Sequence, residues 1–230
     1  MMSCRSLALT LAWLALSAAL PASAQTVSFS NTAPISIVDS APANPYPSSI
    51  AVSGLAPGSI LNIQVLLNGF SHSFPDDTAA VVVAPSGTAA LLFSGPGGGD
   101  DAVNLNLVFD DNASTALPSF GALTSGTYRP GLNQYNDSFP LPGPASYGTT
   151  FASWLNESPN GTWNLFIADL VERDTGSVSG GWALRFDVAA AAPVAAVPEP
   201  SRYAMLLAGL AMLVAWRRYG KSARGQSTAS

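Results

Sequence analysis

The chain has 230 residues, 48% of them hydrophobic and only 10% charged, with nine Lys and Arg against fourteen Asp and Glu for a net charge of −5, and a single cysteine. So few cations cannot neutralise a phosphate backbone, which argues against nucleic-acid binding, and one cysteine rules out an intrachain disulfide or a thiolate metal cluster. With 20 Gly and 18 Pro, the composition suits strands and turns better than helices.

The first 24 residues read as a secretory signal peptide. Arg5 is followed by an apolar run from Leu7 to Leu20 and by Ala22-Ser23-Ala24, and a positive start, an apolar segment and small residues in an Ala-x-Ala pattern are the marks of a cleaved signal. Cleavage is expected before Gln25, with Ala22, Ala24 and Gln25 forming the site; an uncleaved anchor helix is the alternative. Cys4 departs with the signal, so the exported chain is expected to hold together by its core alone.

Residues 25–188 are long enough for one domain with a full core. From Gln25 to Ala196 three arginines (Arg129, Arg173 and Arg185) face thirteen acids, a balance of −10. Such a surface attracts divalent cations or basic partners. Alternation of apolar and polar residues recurs along it. Leu61, Ile63, Val65 and Leu67 are expected on one face of a strand, as are Val103, Leu105, Leu107 and Phe109. Trp163, Leu165 and Ile167 form another set, and Trp182, Leu184, Phe186 and Val188 a fourth. Successive strand residues face opposite sides, so these are half-buried strands. The run Ala79 to Val83 reads as a strand buried on both faces. Pro85-Ser86-Gly87, Gly95 to Asp101, Ser158-Pro159-Asn160-Gly161 and Asp174-Thr175-Gly176 supply turns, and the glycine run from Gly95 to Gly99 is expected to be flexible. No helical stripe is evident between 25 and 190. The fold class predicted is all-β, a jelly-roll-like β-sandwich.

Residues 189–197 are an Ala- and Pro-rich linker. The segment 198–220 then carries Pro198-Glu199-Pro200, an apolar run over 203–216, and Arg217-Arg218, before a tail at 221–230. Fourteen apolar residues make about 21 Å of helix, short against a bilayer core of about 30 Å. The arginine pair places that end in the cytoplasm by the positive-inside rule. The order of Pro-Glu-Pro, short transmembrane helix and Arg-Arg resembles the PEP-CTERM sorting signal of Gram-negative bacteria. That resemblance implies an exosortase partner acting near Pro198, Glu199 and Pro200. It also implies an inner-membrane-anchored precursor with its domain in the periplasm, delivered to the cell surface or an exopolysaccharide matrix. An ordinary tail anchor is the alternative.

A second resemblance lies in the domain. His72-Ser73-Phe74-Pro75-Asp76-Asp77, the strand after it, and Pro85-Ser86-Gly87-Thr88 are similar to one hallmark of the P domain (P/Homo B) that follows the protease in subtilisin-like proprotein convertases. Trp154 to Glu157 with Gly161-Thr162-Trp163, then Asp169, Asp174-Thr175-Gly176 and Trp182, resemble its second hallmark and closing hairpin. The strand after Asp77 opens Thr-Ala-Ala where the family carries a large aliphatic residue. The resemblance implies a jelly-roll sandwich with a non-catalytic role, and His72, Asp77, Pro85, Gly87, Thr88, Gly161, Thr162, Trp163, Asp169, Asp174, Gly176 and Trp182 as its framework.

Catalysis is not expected. A serine-protease triad needs a nucleophile, a base and an orienting carboxylate that converge. Gly148-Thr149-Thr150-Phe151-Ala152 carries Thr150 where a subtilase has its serine. The one histidine, His72, is expected to be structural, hydrogen-bonded near Asp77 or to a turn backbone. No cofactor is required, although calcium prefers loop carboxylates, and Asp76, Asp77, Asp110 and Asp111 are candidate ligands; the alternative is that they are solvated turn acids. Tyr128 and Trp154 could line a carbohydrate face or belong to the core. Accessory service to a separate subtilisin-like protease, and calcium or carbohydrate binding, stand as the other functional readings.

Overall fold

The computed structural model describes residues 24–58, 60–131, 139–140, 142–189 and 202–223. The signal segment with Ala22, most of the linker, Pro198-Glu199-Pro200 and the last seven residues lie outside the described residues.

The domain is a sandwich of two sheets. Seven strands build the first: β1 (Gln25–Asn31), β2 (Ile35–Ile37), β4 (Ile60–His72), β7 (Ala102–Asp110), β8 (Gly126–Tyr128), β10 (Gly176–Val178) and β11 (Trp182–Val188). β4 is its spine, flanked by β11 and β10 along one edge and by β7 along the other. β1 closes the sheet beyond β11, β2 lies beyond β10, and β8 adds a short parallel strand beyond β7. The second sheet has the order β3-β9-β5-β6, with β3 at Ser48–Val52, β9 at Gly161–Asp169, β5 at Thr78–Val83 and β6 at Ala89–Ser94, all antiparallel. The only helical pieces of the sandwich among the described residues are 3₁₀ turns at Pro75–Asp77 and Ala152–Asn156.

The alternating residues do what period two requires. Ile63, Val65 and Leu67 of β4, Leu107 and Phe109 of β7, and Trp182, Leu184 and Phe186 of β11 meet Ile50 and Val52 of β3, Ala80 and Val82 of β5, and Trp163, Leu165 and Ile167 of β9 in one core. Burying a large apolar side chain is worth roughly 1.5–3 kcal/mol, so this cluster is the main source of cohesion in a domain without disulfides. A smaller cluster covers the outer face of the second sheet, where Ala79, Val81, Leu91 and Phe166 pack under Phe139 and Tyr147. The expected double burial of Ala79 to Val83 is therefore real for β5, where four of the five are fully buried and Val83 partly so.

Three expectations change. Leu61 is 56% exposed and Ile60 takes its inward place, because the β4–β11 register shifts between Asp187 and Val188 and leaves Leu61 as the extra residue of a bulge. Val103 is 71% exposed for the same kind of reason. Two residues, Val103 and Asn104, oppose the single Ser71, and Asn104 turns to φ +52° with its N–H donating to Ser71 Oγ at 2.8 Å. Finally, the turn at Gly95 to Gly98 is buried rather than loose, with Gly97 N–H donating to Pro118 O at 2.7 Å.

A separate unit follows the sandwich, and in it Arg202–Ala223 forms helix α1. The expected helix over 203–216 thus exists. No helix among the described residues, however, is long and apolar enough to cross a membrane. The apolar stretch stops at Arg217-Arg218, well short of the ~20 residues a span needs.

Candidate functional site

The two P-domain-like motifs meet in space. The turn Pro85-Ser86-Gly87-Thr88 joins β5 to β6 and is closed by Ala84 N–H donating to Thr88 O and Gly87 N–H to Ala84 O, both at 2.9 Å. The 3₁₀ turn at Ala152–Asn156 lies against it. Trp154 Nε1–H donates to Thr88 O at 3.1 Å, Thr88 Oγ1 donates to Glu157 at 2.8 Å, and Ser86 Oγ makes a second bond to the same carboxylate. Gly161, at φ +133°, brings β9 so close that a Cβ there would lie 2.7 Å from Pro85 Cβ. Trp163 Nε1–H is satisfied by Pro159 O at 2.8 Å. Thr162 sits on the ladder opposite Ala51. Trp182, in the other sheet, donates its indole N–H to Ser48 Oγ at 3.0 Å and ties the two layers together. The hallmarks form a staple between turn, 3₁₀ segment and strand.

Aromatic rings continue it inward. Phe151 stacks on Trp154 at 4.8 Å, Trp154 meets Trp163 edge-on at 5.0 Å, and Trp163 meets Phe186 at 5.7 Å. Trp154 is 1% exposed, so it belongs to the core and offers nothing to a sugar. Tyr128 is half-buried, with its hydroxyl on Thr124 O at 2.9 Å.

The other half of the pattern gathers at the far end of β4. His72 is its last residue, 2% exposed. Phe74 N–H donates to His72 Nδ1 at 3.2 Å, so the ring proton of the neutral tautomer lies on Nε2. Nε2 stands 3.2 Å from Asp169 Oδ2 at the end of β9. The approach is poorly aligned, and neither atom has a well-directed hydrogen bond. Asp169 Oδ1 accepts from Val171 N–H at 3.0 Å. The turn-backbone partner expected for His72 is present, whereas its carboxylate neighbour is Asp169, not Asp77. Gly176 is the partner of His72 across the β4–β10 ladder, and packs so closely that a Cβ there would lie 2.2 Å from Ser71 O and 2.4 Å from His72 Cδ2. The ring is buried among these neighbours.

Acids crowd this end. Burial pushes Asp77 up to about 6, helped by the charges of Asp169, Asp174 and Asp76. Burial also raises Asp169, against the lowering effect of the Val171 N–H and of His72. Asp174 accepts from Ser73 Oγ at 2.8 Å, and Asp39 accepts from Arg173 N–H at 2.7 Å.

Asp110 and Asp111 lie elsewhere. β7 runs from Ala102, opposite His72, to Asp110, opposite Gln64, so about 26 Å of strand separates the two acid pairs. Asp110 accepts from Gln64 Nε2 at 2.7 Å, Asn62 Nδ2 at 3.1 Å and Asn112 N–H at 2.8 Å. Burial works to raise it, but those three donors outweigh burial and hold it below the usual carboxylate range. Asp111 accepts from Phe151 N–H at 2.8 Å. The four candidate calcium ligands are thus two separate pairs. No group of three or more His, Cys, Asp or Glu side chains suited to a metal ion exists among the described residues. Thr150, next to the Phe151 amide that Asp111 holds, belongs to the Asp110 end and not to the His72 end.

Sequence reasoning placed Glu157 in a motif and Asn160 in a turn but gave neither a partner. Glu157 bridges Ser86 and Thr88, and Asn160 exchanges hydrogen bonds with the backbone of Leu55, at 2.6 and 3.1 Å. Their partners lie 69 to 105 residues away, beyond the reach of any local signal.

No family model matches the chain, and no curated protein is similar to it. Among solved structures, the serine protease of Aeromonas sobria in complex with its chaperone aligns at 18% identity over 74% of this chain and 27% of that one, with a TM-score of 0.32. The serine protease of Aeromonas sobria itself aligns at 16% identity over 75% and 28%, with a TM-score of 0.31. The chain spans little more than a quarter of these proteins, and a likeness this slight fixes neither family nor activity.

Proposed function

We propose that the chain is an exported, non-catalytic surface protein. Its sandwich is carried across the inner membrane behind a signal peptide, and its tail is sorted by an exosortase towards the cell surface or exopolysaccharide matrix. The observation that carries the non-catalytic part is His72: the one histidine of the chain is buried between Asp169 and its ladder partner Gly176. The residues that resemble the convertase P domain act as a staple, which supports a jelly-roll-like framework with no reacting group. The sorting part rests on Pro198-Glu199-Pro200, the apolar turns of α1 and Arg217-Arg218. A helix whose apolar stretch is too short for a stable span suits an attachment that is held only until the chain is cut.

Replacing Glu199 with Ala tests the sorting reading. Membrane and secreted fractions are compared by immunoblot, and the mutant should accumulate as a membrane-bound precursor. Normal processing and export of the mutant would overturn exosortase sorting and leave only the sandwich.

A further inference from the structure

We infer that Gln25 is a modification site, at which the side chain closes onto the new terminal amine once the chain is cut before it. The inference rests on signal removal between Ala24 and Gln25, and adds a chemical fate for the end so created.

β1 begins at Gln25, while Ala24 lies outside the strand. The ladder from Gln25 opposite Val188 to Asn31 opposite Trp182 holds this residue at the free edge of the seven-stranded sheet. Gln25 and Thr26 are both exposed, whereas Val27 and Phe29 pack against the core. The first side chain of the strand is therefore open to solvent, and its reaction displaces no packing.

An α-amino group titrates near pH 8, so a useful fraction is unprotonated and nucleophilic at neutral pH. Its nitrogen attacks Cδ of the Gln25 amide. The N–Cδ bond forms, the Cδ–Nε2 bond breaks, and Nε2 leaves as ammonia with a proton given up by the amine. The product is a five-membered lactam, and the step needs no oxidant, reductant or second substrate. The lactam nitrogen keeps one hydrogen, so the backbone donor of residue 25 survives. Two consequences follow. The terminus loses its positive charge in a domain where three arginines already face thirteen acids. It also loses the free amine from which an aminopeptidase would strip β1 and uncover β11.

The test is mass spectrometry of the N-terminal peptide from the exported protein, digested promptly, with Gln25→Ala as a second chain. The wild-type peptide should begin at residue 25 and be lighter by one ammonia as the major species. The Ala variant should begin at the same residue with a free amine. A wild-type peptide that begins at Gln25 and retains its ammonia overturns the cyclisation while leaving the cut intact. A peptide that begins elsewhere, or an intact precursor in the exported fraction, overturns the signal-cleavage reading and the cyclisation with it.

Discussion

If the two motifs are a staple, glycine at 161 is required twice over, and the two requirements can be separated. Gly161→Ala places a side chain at φ +133° and its Cβ 2.7 Å from Pro85 Cβ, against an ordinary carbon separation of about 3.5–4.0 Å. A sparsely populated backbone conformation costs about 1–3 kcal/mol, and forcing an extra methyl into a packed site costs a further 1–3 kcal/mol or so. The expected loss is about 3–4 kcal/mol, or roughly 10 °C in Tm for a domain of this size. Gly87→Ala isolates the backbone part, since Gly87 has φ +91° with nothing within 4 Å of the added Cβ; about 1–2 kcal/mol is expected. Gly148→Ala is the control. Its Cβ would meet only Ala89 O at 3.7 Å and Thr150 O at 4.0 Å, and its effect should stay within about 0.5 kcal/mol. Thermal melts of the three variants, with urea titrations to check two-state behaviour, give the ranking. A Gly161 variant no less stable than the Gly87 variant would refute the idea that close packing of the two motifs is what demands glycine.

Three further outcomes are expected. Asp77 has a folded pKa of about 6 against 3.8 as its ordinary value, so the stability tied to it is complete below the lower value and lost as pH rises through the higher. Asp77→Asn should therefore stabilise the domain at pH 7.5 by about 1 kcal/mol, after solvent screening reduces the full linkage figure of about 3. The gain should vanish near pH 4, and a Tm difference independent of pH would contradict it. Asp110 runs the other way: its depressed pKa supplies stability that falls away in acid, so Asp110→Ala should cost about 2 kcal/mol at pH 7 and less at pH 3, read by urea denaturation. Trp154→Ala removes a buried indole and one of the two donors to Thr88 O; about 3–5 kcal/mol is expected, and a loss below 1 kcal/mol in the same titration would place Trp154 outside the core.

The strands were legible wherever alternation meets an undisturbed ladder, as from Trp163 to Ile167 and from Trp182 to Phe186. Leu61 and Val103 were misread because each borders a bulge, and a bulge is set by the partner strand: Val188 opposite Ile60 in one case, Ser71 opposite two residues in the other. Gly95 to Gly98 look flexible by composition, yet they are covered by distant side chains, Leu123 on Gly97 and Phe120 on Gly98. The motif residues could be found by order and spacing, but not their meaning. That Glu157 holds Ser86 and Thr88, and that His72 faces Asp169 rather than Asp77, follows from strands that are neighbours in the sheet and far apart in the chain.

Charge and connectivity divide the sandwich into two unlike ends. Gln25 pairs with Val188, and Val188 with Ile60 of β4, so both chain ends leave the domain beside the first residue of its spine. His72 closes the spine on the order of 40 Å away along the strand. Around it lie Asp39, Asp76, Asp77, Asp169 and Asp174, with Asp100 and Asp101 just before Ala102, the residue that pairs with His72. Like charges near one another are mutually unfavourable, and at Asp77 the charges of Asp169, Asp174 and Asp76 add to burial in raising the pKa. A sandwich selected for stability alone would disperse them. What permits the crowding is the core behind it, from Phe70 to Trp182, which does not depend on the acids. The end where Gln25 pairs with Val188 is consequently separate from the acid cluster, and a cut on either side of the domain, before Gln25 or beyond Val188, leaves the His72 end unaltered.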